Sequence, residues 1–349
     1  MRQKSSATSS EFANDAKNRS RISAFVDNMK KVAETDRMKG TVKAVCISRE
    51  KGTVKRPVEA GHFIKDFGIE HDAHAGKWHR QVSLLSYDKA KEFNQKGAFV
   101  ADGDFGENLL VEGIDFKSLP VGTILKAGSV TMRMTQIGKE CHSDCAIRQR
   151  VGDCIMPREG VFAEVLEGGE IRPGDEMSVE LPDPERPFTA AVITLSDKGA
   201  KGERKDESGP AAAAMLEEAG YEVVETLILP DEPSLLKKEL CRLADQRQVE
   251  LIITSGGTGF SLRDQTPEAT MEVADRNAPG IAEYIRMRSA EITDRAMLSR
   301  GVSVIRKGSL IINLPGSPKA VRESLGFILN ALDHGLRILR GSVGECARK

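Results

Sequence analysis

Three prolines set among charges in the run Leu181-Pro182-Asp183-Pro184-Glu185-Arg186-Pro187 divide the chain into two stretches of different texture. No single regular architecture accommodates both. From Thr41 to the proline run lie short β-type segments, TVKAVCIS, VGTILKAG, SVTMRMTQIG and DEMSVEL, separated by turns that contain glycine. They predict a β-rich barrel. Beyond the run, apolar segments (FTAAVITLS, YEVVETLIL, VELIITS, GSLIINL) alternate with helical patterns such as SGPAAAAMLEEAG and SPKAVRESLGFILNAL. Such alternation requires crossovers, hence an α/β doubly wound, mostly parallel sheet covered by helices. The expected organisation is a flexible tail over residues 1–39, a barrel over 40–181, a linker over 182–187, an α/β domain over 188–340 and a tail over 341–349. A length of 349 residues suits two domains of ordinary size.

Charge and composition exclude several classes of function. The 51 Lys and Arg against 52 Asp and Glu leave a net charge of −1, which argues against a nucleic-acid partner or an anionic membrane surface. No apolar run approaches the ~20 residues of a membrane span. Six cysteines are too few for a disulfide framework, and no signal-type apolar core precedes them, so a reducing cytoplasm is the expected location.

Ligands of open α/β sheets bind beyond the carboxyl ends of the strands, so the polar residues after each apolar run are the candidate site. Ser196 and Asp197 follow the first run, and Asp206, Ser208 and Gly209 open the next helix, with Ser208 expected as its cap and Gly220 as its left-handed stop. Pro230-Asp231-Glu232 follow the second run. The third is followed by Thr254-Ser255-Gly256-Gly257-Thr258-Gly259, by Arg263-Asp264 and by a helix start at Thr266, and the last by Pro315-Gly316-Ser317. Glycines let backbone N–H groups close around phosphate oxygens, and a helix start adds a positive dipole end. Acidic residues beside a phosphate site repel the ligand unless a cation intervenes, which makes Asp231 and Asp264 expected ligands of Mg²⁺ on a nucleoside triphosphate. A plain turn and helix capping are the alternatives.

The run TSGGTGFSLRDQTPEAT, with LPDE upstream, AMLSR at 296–300 and NLPGSPK at 313–319, resembles the MogA/MoaB family of molybdopterin adenylyltransferases, also represented by the G domain of gephyrin. The likeness covers about residues 188–340. It implies a trimer that binds molybdopterin at the glycine run and uses Mg-ATP to attach AMP to the pterin phosphate. By position it assigns Asp231 and Asp264 to nucleotide, metal and catalysis, and Ser255, Gly256, Gly257 and Thr258 to the pterin. Ser196, Asp197, Asp206 and Ser208 match the family's first-strand motif.

In the first half, His71, His74 and His79 could serve a metal, with satisfied loop histidines as the alternative. Gly106-Glu107-Asn108 reads as a turn whose polar side chains orient a ligand, or as an ordinary turn. Cys141-His142-Ser143-Asp144-Cys145 places a thiol near Lys139, Arg148 and Arg150, a setting that favours the thiolate. The alternatives are an inert cysteine or a zinc site with Cys145 and Cys154. The layout HDAHAG, HRQVSLLS, FGENLLVEGID, TQIGKECH and EGGEIRPGDEM resembles a MOSC domain, the barrel named after the C-terminal part of molybdenum cofactor sulfurase, over about residues 40–180. The resemblance implies that Cys141 carries sulfur or ligates the molybdenum of a bound cofactor, although KEC stands here where many members have a proline before the cysteine.

Both resemblances point to molybdenum cofactor biosynthesis: ATP- and Mg-dependent adenylylation of molybdopterin by the C-terminal domain, with the MOSC domain handling sulfur or bound molybdenum cofactor. Implied partners are molybdopterin, ATP, further copies of the chain as a homotrimer, and molybdate-inserting or sulfur-transfer proteins. A molybdenum-cofactor carrier or storage protein without catalysis, and a molybdenum reductase centred on the MOSC domain, are the alternatives.

Overall fold

The computed structural model describes residues 38–140 and 146–341. Cys141, Cys145, the N-terminal tail and the C-terminal tail from residue 342 lie outside the described residues. Two compact units divide between Pro182 and Asp183.

The first unit is a closed barrel of seven strands: β1 (Lys39–Ile47), β5 (Val82–Ser86), β6 (Leu109–Glu112), β7 (Ile124–Ala127), β8 (Val130–Ile137), β9 (Val161–Glu167) and β11 (Glu176–Glu180). They are ordered β11-β7-β8-β9-β5-β6-β1, and β1 pairs back onto β11 through Lys39–Thr41. Closure removes the unpaired edges that an open sheet would leave. β2 (Arg56–Val58) pairs antiparallel with the end of β1, while β3 (Gly61–Ile64), β4 (Gly68–Ile69) and β10 (Gly169–Ile171) form a small second sheet.

All seven barrel strands contribute to one apolar cluster, the interior, which includes Val42, Leu84, Leu109, Leu125, Met132, Val161 and Met177. A second cluster, with Ala44, Cys46, Leu85, Leu110 and Phe162, lies under the helix Tyr87–Gln95 and the segment around Met156. A bulge between Val42 and Ala44 shifts the register of β1 against β6. It explains why Val42 and Val45, three residues apart, both join the interior although a regular strand alternates with period two.

In the second unit the order is β13 (Glu222–Leu229), β12 (Thr189–Leu195), β14 (Leu251–Ser255), β17 (Ser309–Leu314), β16 (Ser303–Arg306) and β15 (Arg276–Asn277). The first four are parallel to one another; β16 and β15 form an antiparallel margin. Alternate residues of the central strands enter different cores. Ala190, Val192, Ile253 and Ile312 pack with the helices Ser208–Glu218 and Pro318–Arg340, whereas Ala191, Ile193, Ile252 and Ile311 pack with Leu236 and Leu240 of the helix Pro233–Cys241 and with Ala269. Helices therefore cover both faces, the doubly wound arrangement.

The last helix buries Val321, Leu325, Ile328, Leu332 and Leu336 along one stripe and ends at Gly341, whose φ of 80° is the left-handed stop. Its final turn is tied to the beginning of the unit. Arg340 stacks over the Phe188 ring at 3.9 Å, donates through Nε and Nη2 to Glu250 at 2.7 and 3.0 Å, and donates through Nη1 to the carbonyls of Pro184 and Arg186 at 2.6 and 2.9 Å. Arg186 also donates to Glu250, at 2.9 Å. Burial opposes the charge on Glu250, but the bonds from Arg340 and Arg186 hold its carboxyl below the usual range.

Candidate functional site

β13 and β14 flank β12 although the chain makes them in succession, so the winding reverses between β12 and β14. At such a reversal the crossovers leave in opposite directions and a crevice opens beyond the carboxyl ends of the strands. The turn after β14 fits only glycine. Gly256 has φ 107°, and a Cβ there would lie 2.4 Å from the Leu195 carbonyl oxygen. Gly257 has φ 63°, and its Cβ would lie 2.3 Å from Thr266 Oγ1. A cavity of about 380 Å³ results, lined among others by Ser196, Asp206, Ser208, Asp231, Gly256, Gly257, Asp264, Gly316 and Ser317. The backbone amides of Gly257, Gly316 and Ser317 donate to no protein acceptor among the described residues, so three cavity-lining donors stand open to an anion.

The acidic residues have distinct settings. Asp197 and Asp231 exchange bonds: the Asp197 amide donates to Asp231 Oδ2 at 3.1 Å and the Asp231 amide to Asp197 Oδ1 at 3.0 Å. The Asp231 carboxyl is pushed above its ordinary range, first by burial and then, against the bond from the Asp197 amide, by the charges of Asp197 and Asp264. Asp197 is held below its range by the bond from the Asp231 amide and by Arg263, which donates to both of its oxygens at 2.8 Å. Asp264 Oδ2 accepts from the Gly259 amide at 3.0 Å. Among the described residues no group of three His, Cys, Asp or Glu could hold a metal ion. Asp231 and Asp264 are thus a pair rather than a cage. That fits Mg²⁺, which is usually held by one or two carboxylates together with substrate phosphates.

Several of the expected binding residues serve the scaffold instead of lining the cavity. Thr254 is buried and accepts from Asn313 Nδ2 at 2.9 Å; Ser255 Oγ donates to the Pro315 carbonyl at 3.0 Å. Thr258 and Gly259 accept at their carbonyls from the Arg300 amide and Nε, at 3.0 and 2.7 Å. Asp197, Thr254, Ser255, Thr258, Gly259 and Pro315 are all absent from the cavity wall. The expected helix cap is also corrected: Ser208 is the first residue of its helix, and Asp206 Oδ1 accepts from the amides of Ser208 and Gly209 at 2.9 and 3.0 Å. The Ser208 hydroxyl instead donates to the Gly316 carbonyl at 2.8 Å, which joins two walls of the crevice. Sequence reasoning missed Arg204 and Lys205, both of which line the cavity. Their only signal is position, in the loop just before the helix start that Asp206 caps.

In the first unit the side chains of the Glu107-Asn108 turn are buried. Asn108 donates to the Cys46 carbonyl at 3.0 Å and to Asp72 Oδ2 at 3.2 Å, and accepts from Ser83 Oγ at 2.9 Å. Asp72 pairs with the fully buried Lys55, whose pKa is lowered because burial outweighs that pairing. Glu107 is fully buried; Oε1 accepts from the Gly103 amide at 2.7 Å, and Oε2 has no partner among the described residues. Burial pushes its carboxyl up to about 7. The bonds of Asn108 and Asp72 knit the surrounding segments of the unit together. His79 lies 3.0 Å from Gln136 Oε1, and Asp72 Oδ1 accepts from the His74 amide at 2.9 Å. Cys141 lies outside the described residues; a cavity of about 290 Å³ is lined by Lys139, Glu140, Arg148, Asp153, Cys154, Pro157 and Arg158.

Comparison with known proteins places each unit. The family described as Probable molybdopterin binding domain matches residues 191–334, and the MOSC domain family matches residues 71–178. A molybdopterin adenylyltransferase of Escherichia coli K12 is 41% identical over 143 residues, 40% of this chain and 73% of that protein. One from Helicobacter pylori is 40% identical over 160 residues, 45% of this chain and 91% of that protein. Among solved structures, the molybdopterin biosynthesis enzyme MoaB of Thermus thermophilus is 46% identical with a TM-score of 0.43, over 44% of this chain and 97% of that one.

Proposed function

The chain belongs, through its C-terminal unit, to the molybdopterin adenylyltransferase family, and from that premise we propose that it acts in molybdenum cofactor biosynthesis by joining AMP to molybdopterin. The observation that carries this most is the single cavity that brings Asp231, Asp264 and the open amides of Gly257, Gly316 and Ser317 together. An oxygen of the pterin's terminal phosphate attacks the α-phosphorus of ATP. The new P–O bond replaces the bond to the β-phosphate bridging oxygen, which leaves with both electrons as pyrophosphate. Such a transfer needs positioning and charge neutralisation more than covalent help from the protein.

Asp231 and Asp264 would hold Mg²⁺, whose charge, when bound, offsets that of the triphosphate. The exchange of bonds with Asp197 fixes the Asp231 carboxylate, and the Gly259 amide fixes that of Asp264. The open amides hold the pterin or its phosphate, and the glycines keep Cβ atoms out of the way. Incubation of the purified chain with molybdopterin and Mg-ATP tests the reading. Adenylylated pterin and pyrophosphate in equal amounts are expected; their absence overturns it.

Assembly as a homotrimer on the α/β unit is the second part of the proposal. Phe260, Leu262 and Met297 are 70, 94 and 72% exposed, and Arg300 stitches their two segments together through the carbonyls of Thr258 and Gly259. Apolar surface of this kind favours burial against further copies. Light scattering should give three times the chain mass; a monomer at micromolar concentration removes this part.

For the barrel we propose handling of sulfur or of bound molybdenum cofactor by Cys141 in a reducing cytoplasm. The cations Lys139 and Arg148, near Cys141 in the sequence, support it, because cations favour a thiolate and an anionic ligand. Alkylation at pH 7 followed by mass spectrometry should find Cys141 more reactive than Cys145 and Cys154. Tightly bound molybdenum without pterin turnover would identify a carrier or a reductase instead.

A further inference from the structure

The crevice is proposed to take phosphate-bearing ligands, yet its wall carries four carboxylates, Asp206, Glu207, Asp231 and Asp264, against two cations, Arg204 and Lys205. Nearby arginines are already engaged. Arg263 is held by Asp197 and Glu232, and Arg300 by Glu268 and by the carbonyls of Gly259 and Asp264. Arg204 and Lys205 differ: both are exposed, and neither makes an ion pair or side-chain hydrogen bond among the described residues.

Their loop is short and anchored at both ends. Gly202 turns the chain at φ 72°, and the Glu203 amide donates to the Lys198 carbonyl at 2.9 Å. On the other side Asp206 accepts from Thr194 Oγ1 at 2.8 Å and from the amides of Ser208 and Gly209. Between the anchors lie only these two cations, on long side chains that can swing. A charge left without a protein partner at the rim of an acidic pocket suits an anion that arrives from solution.

We infer that Arg204 and Lys205 are positioning residues that grip a phosphate group of the substrate as it enters the crevice. The inference rests on the adenylylation reading for the identity of the substrate, but not for the grip itself. Both the triphosphate of ATP and the terminal phosphate of molybdopterin offer the required chemistry, a multiply charged phosphate oxygen cluster. Arg204 suits two oxygens at once through its planar fork, whereas Lys205 acts as a point charge.

The test uses the full chain and inorganic pyrophosphate as probe, titrated by calorimetry. Arg204→Gln and Lys205→Gln should each weaken pyrophosphate binding by roughly 10-fold, and the double variant by about 100-fold, the range of a charge-assisted hydrogen bond at each site. Arg204→Lys should restore most of the loss. Because both side chains are exposed, urea unfolding of the α/β unit should stay at the wild-type midpoint. In turnover, a raised KM for ATP with kcat kept assigns the grip to the triphosphate; a raised KM for molybdopterin assigns it to the pterin phosphate. Wild-type affinity for pyrophosphate in the double variant, or no binding by the wild-type chain, overturns the inference. Failure of the adenylylation reading looks different: the wild-type chain binds pyrophosphate but makes no adenylylated pterin.

Discussion

The two units contain the same kinds of polar motif, Gly-Glu-Asn and Asp-Ala-His in one, Ser-Gly-Gly-Thr and Leu-Pro-Gly-Ser in the other, but place them oppositely. In the first unit the chain closes on itself, and Lys55, Asp72, Glu107 and Asn108 are buried, with Lys55, Asp72 and Asn108 bonded to protein partners. In the α/β unit the sheet stays open and its winding reverses, so the corresponding residues gather at the strand ends around a cavity whose amides still lack acceptors. Closure buries these polar side chains among protein groups, whereas the open strand ends leave backbone amides without acceptors at a cavity. Mutations should therefore act on stability in the first unit and on turnover in the second.

The largest expected effect is at Lys55. Lys55→Met leaves Asp72 as a buried charge deprived of its cation, and should destabilise the barrel by about 3–5 kcal/mol. Trp78, the one tryptophan of the chain, lies in the barrel, so its fluorescence during urea unfolding reads this unit alone. A loss below about 1 kcal/mol would break the contrast, because the pair would then be dispensable. Asp231→Asn comes next. It should lower adenylylation by roughly 10²–10³-fold, the scale of one lost electrostatic contact in a phosphoryl-transfer site, with the Trp78 transition unmoved. Near-normal turnover would count against the assigned role.

Glu107 sharpens the comparison through pH. Its folded-state value of about 7 lies above the ordinary 4.5, so its contribution is fully present below pH 4.5 and is lost as pH rises through 7. The shift amounts to about 3 kcal/mol at 1.36 kcal/mol per unit. Glu107→Gln should flatten the barrel's urea midpoint between pH 5 and 8 relative to wild type, whatever the absolute stability; an unchanged slope would show that the carboxyl is ionised throughout. The smallest effect is expected from Ser208→Ala, which removes one bond between crevice walls. It should cost about 1 kcal/mol in the α/β unit and change turnover more than it changes the barrel, which it should leave untouched.

Much of this architecture is legible without coordinates. Alternating apolar runs and helical patterns identify the open sheet because both periods are strong, and the strand ends follow from the runs themselves. The glycines after β14 are legible for the same reason, since a backbone close to Leu195 and Thr266 tolerates no side chain. What escapes is whatever depends on tertiary neighbours. A bulge in β1 decides which of Val42, Ala44 and Val45 faces inward, and nothing local announces it. Thr254 and Ser255 sit in the glycine motif yet bond backward to Asn313 and Pro315. Asp206 takes the capping role that Ser208 would fill by residue preference alone. Arg204 and Lys205 are ordinary in a chain with 51 cations, and stand out only once the other basic residues near the crevice are seen to be paired.

The tie between Arg340, Glu250 and the segment 184–187 also has a mechanical side. Glu250 precedes β14, whereas the crevice follows it, so the tie grips the end of the sheet farthest from the site. A tug on residue 183, the first of the unit, is passed at once to the last turn of the final helix and to the foot of the central strand. The last helix, the first residues of the unit and the foot of β14 are thereby held as one base, at the opposite end of the central strand from the glycine turns.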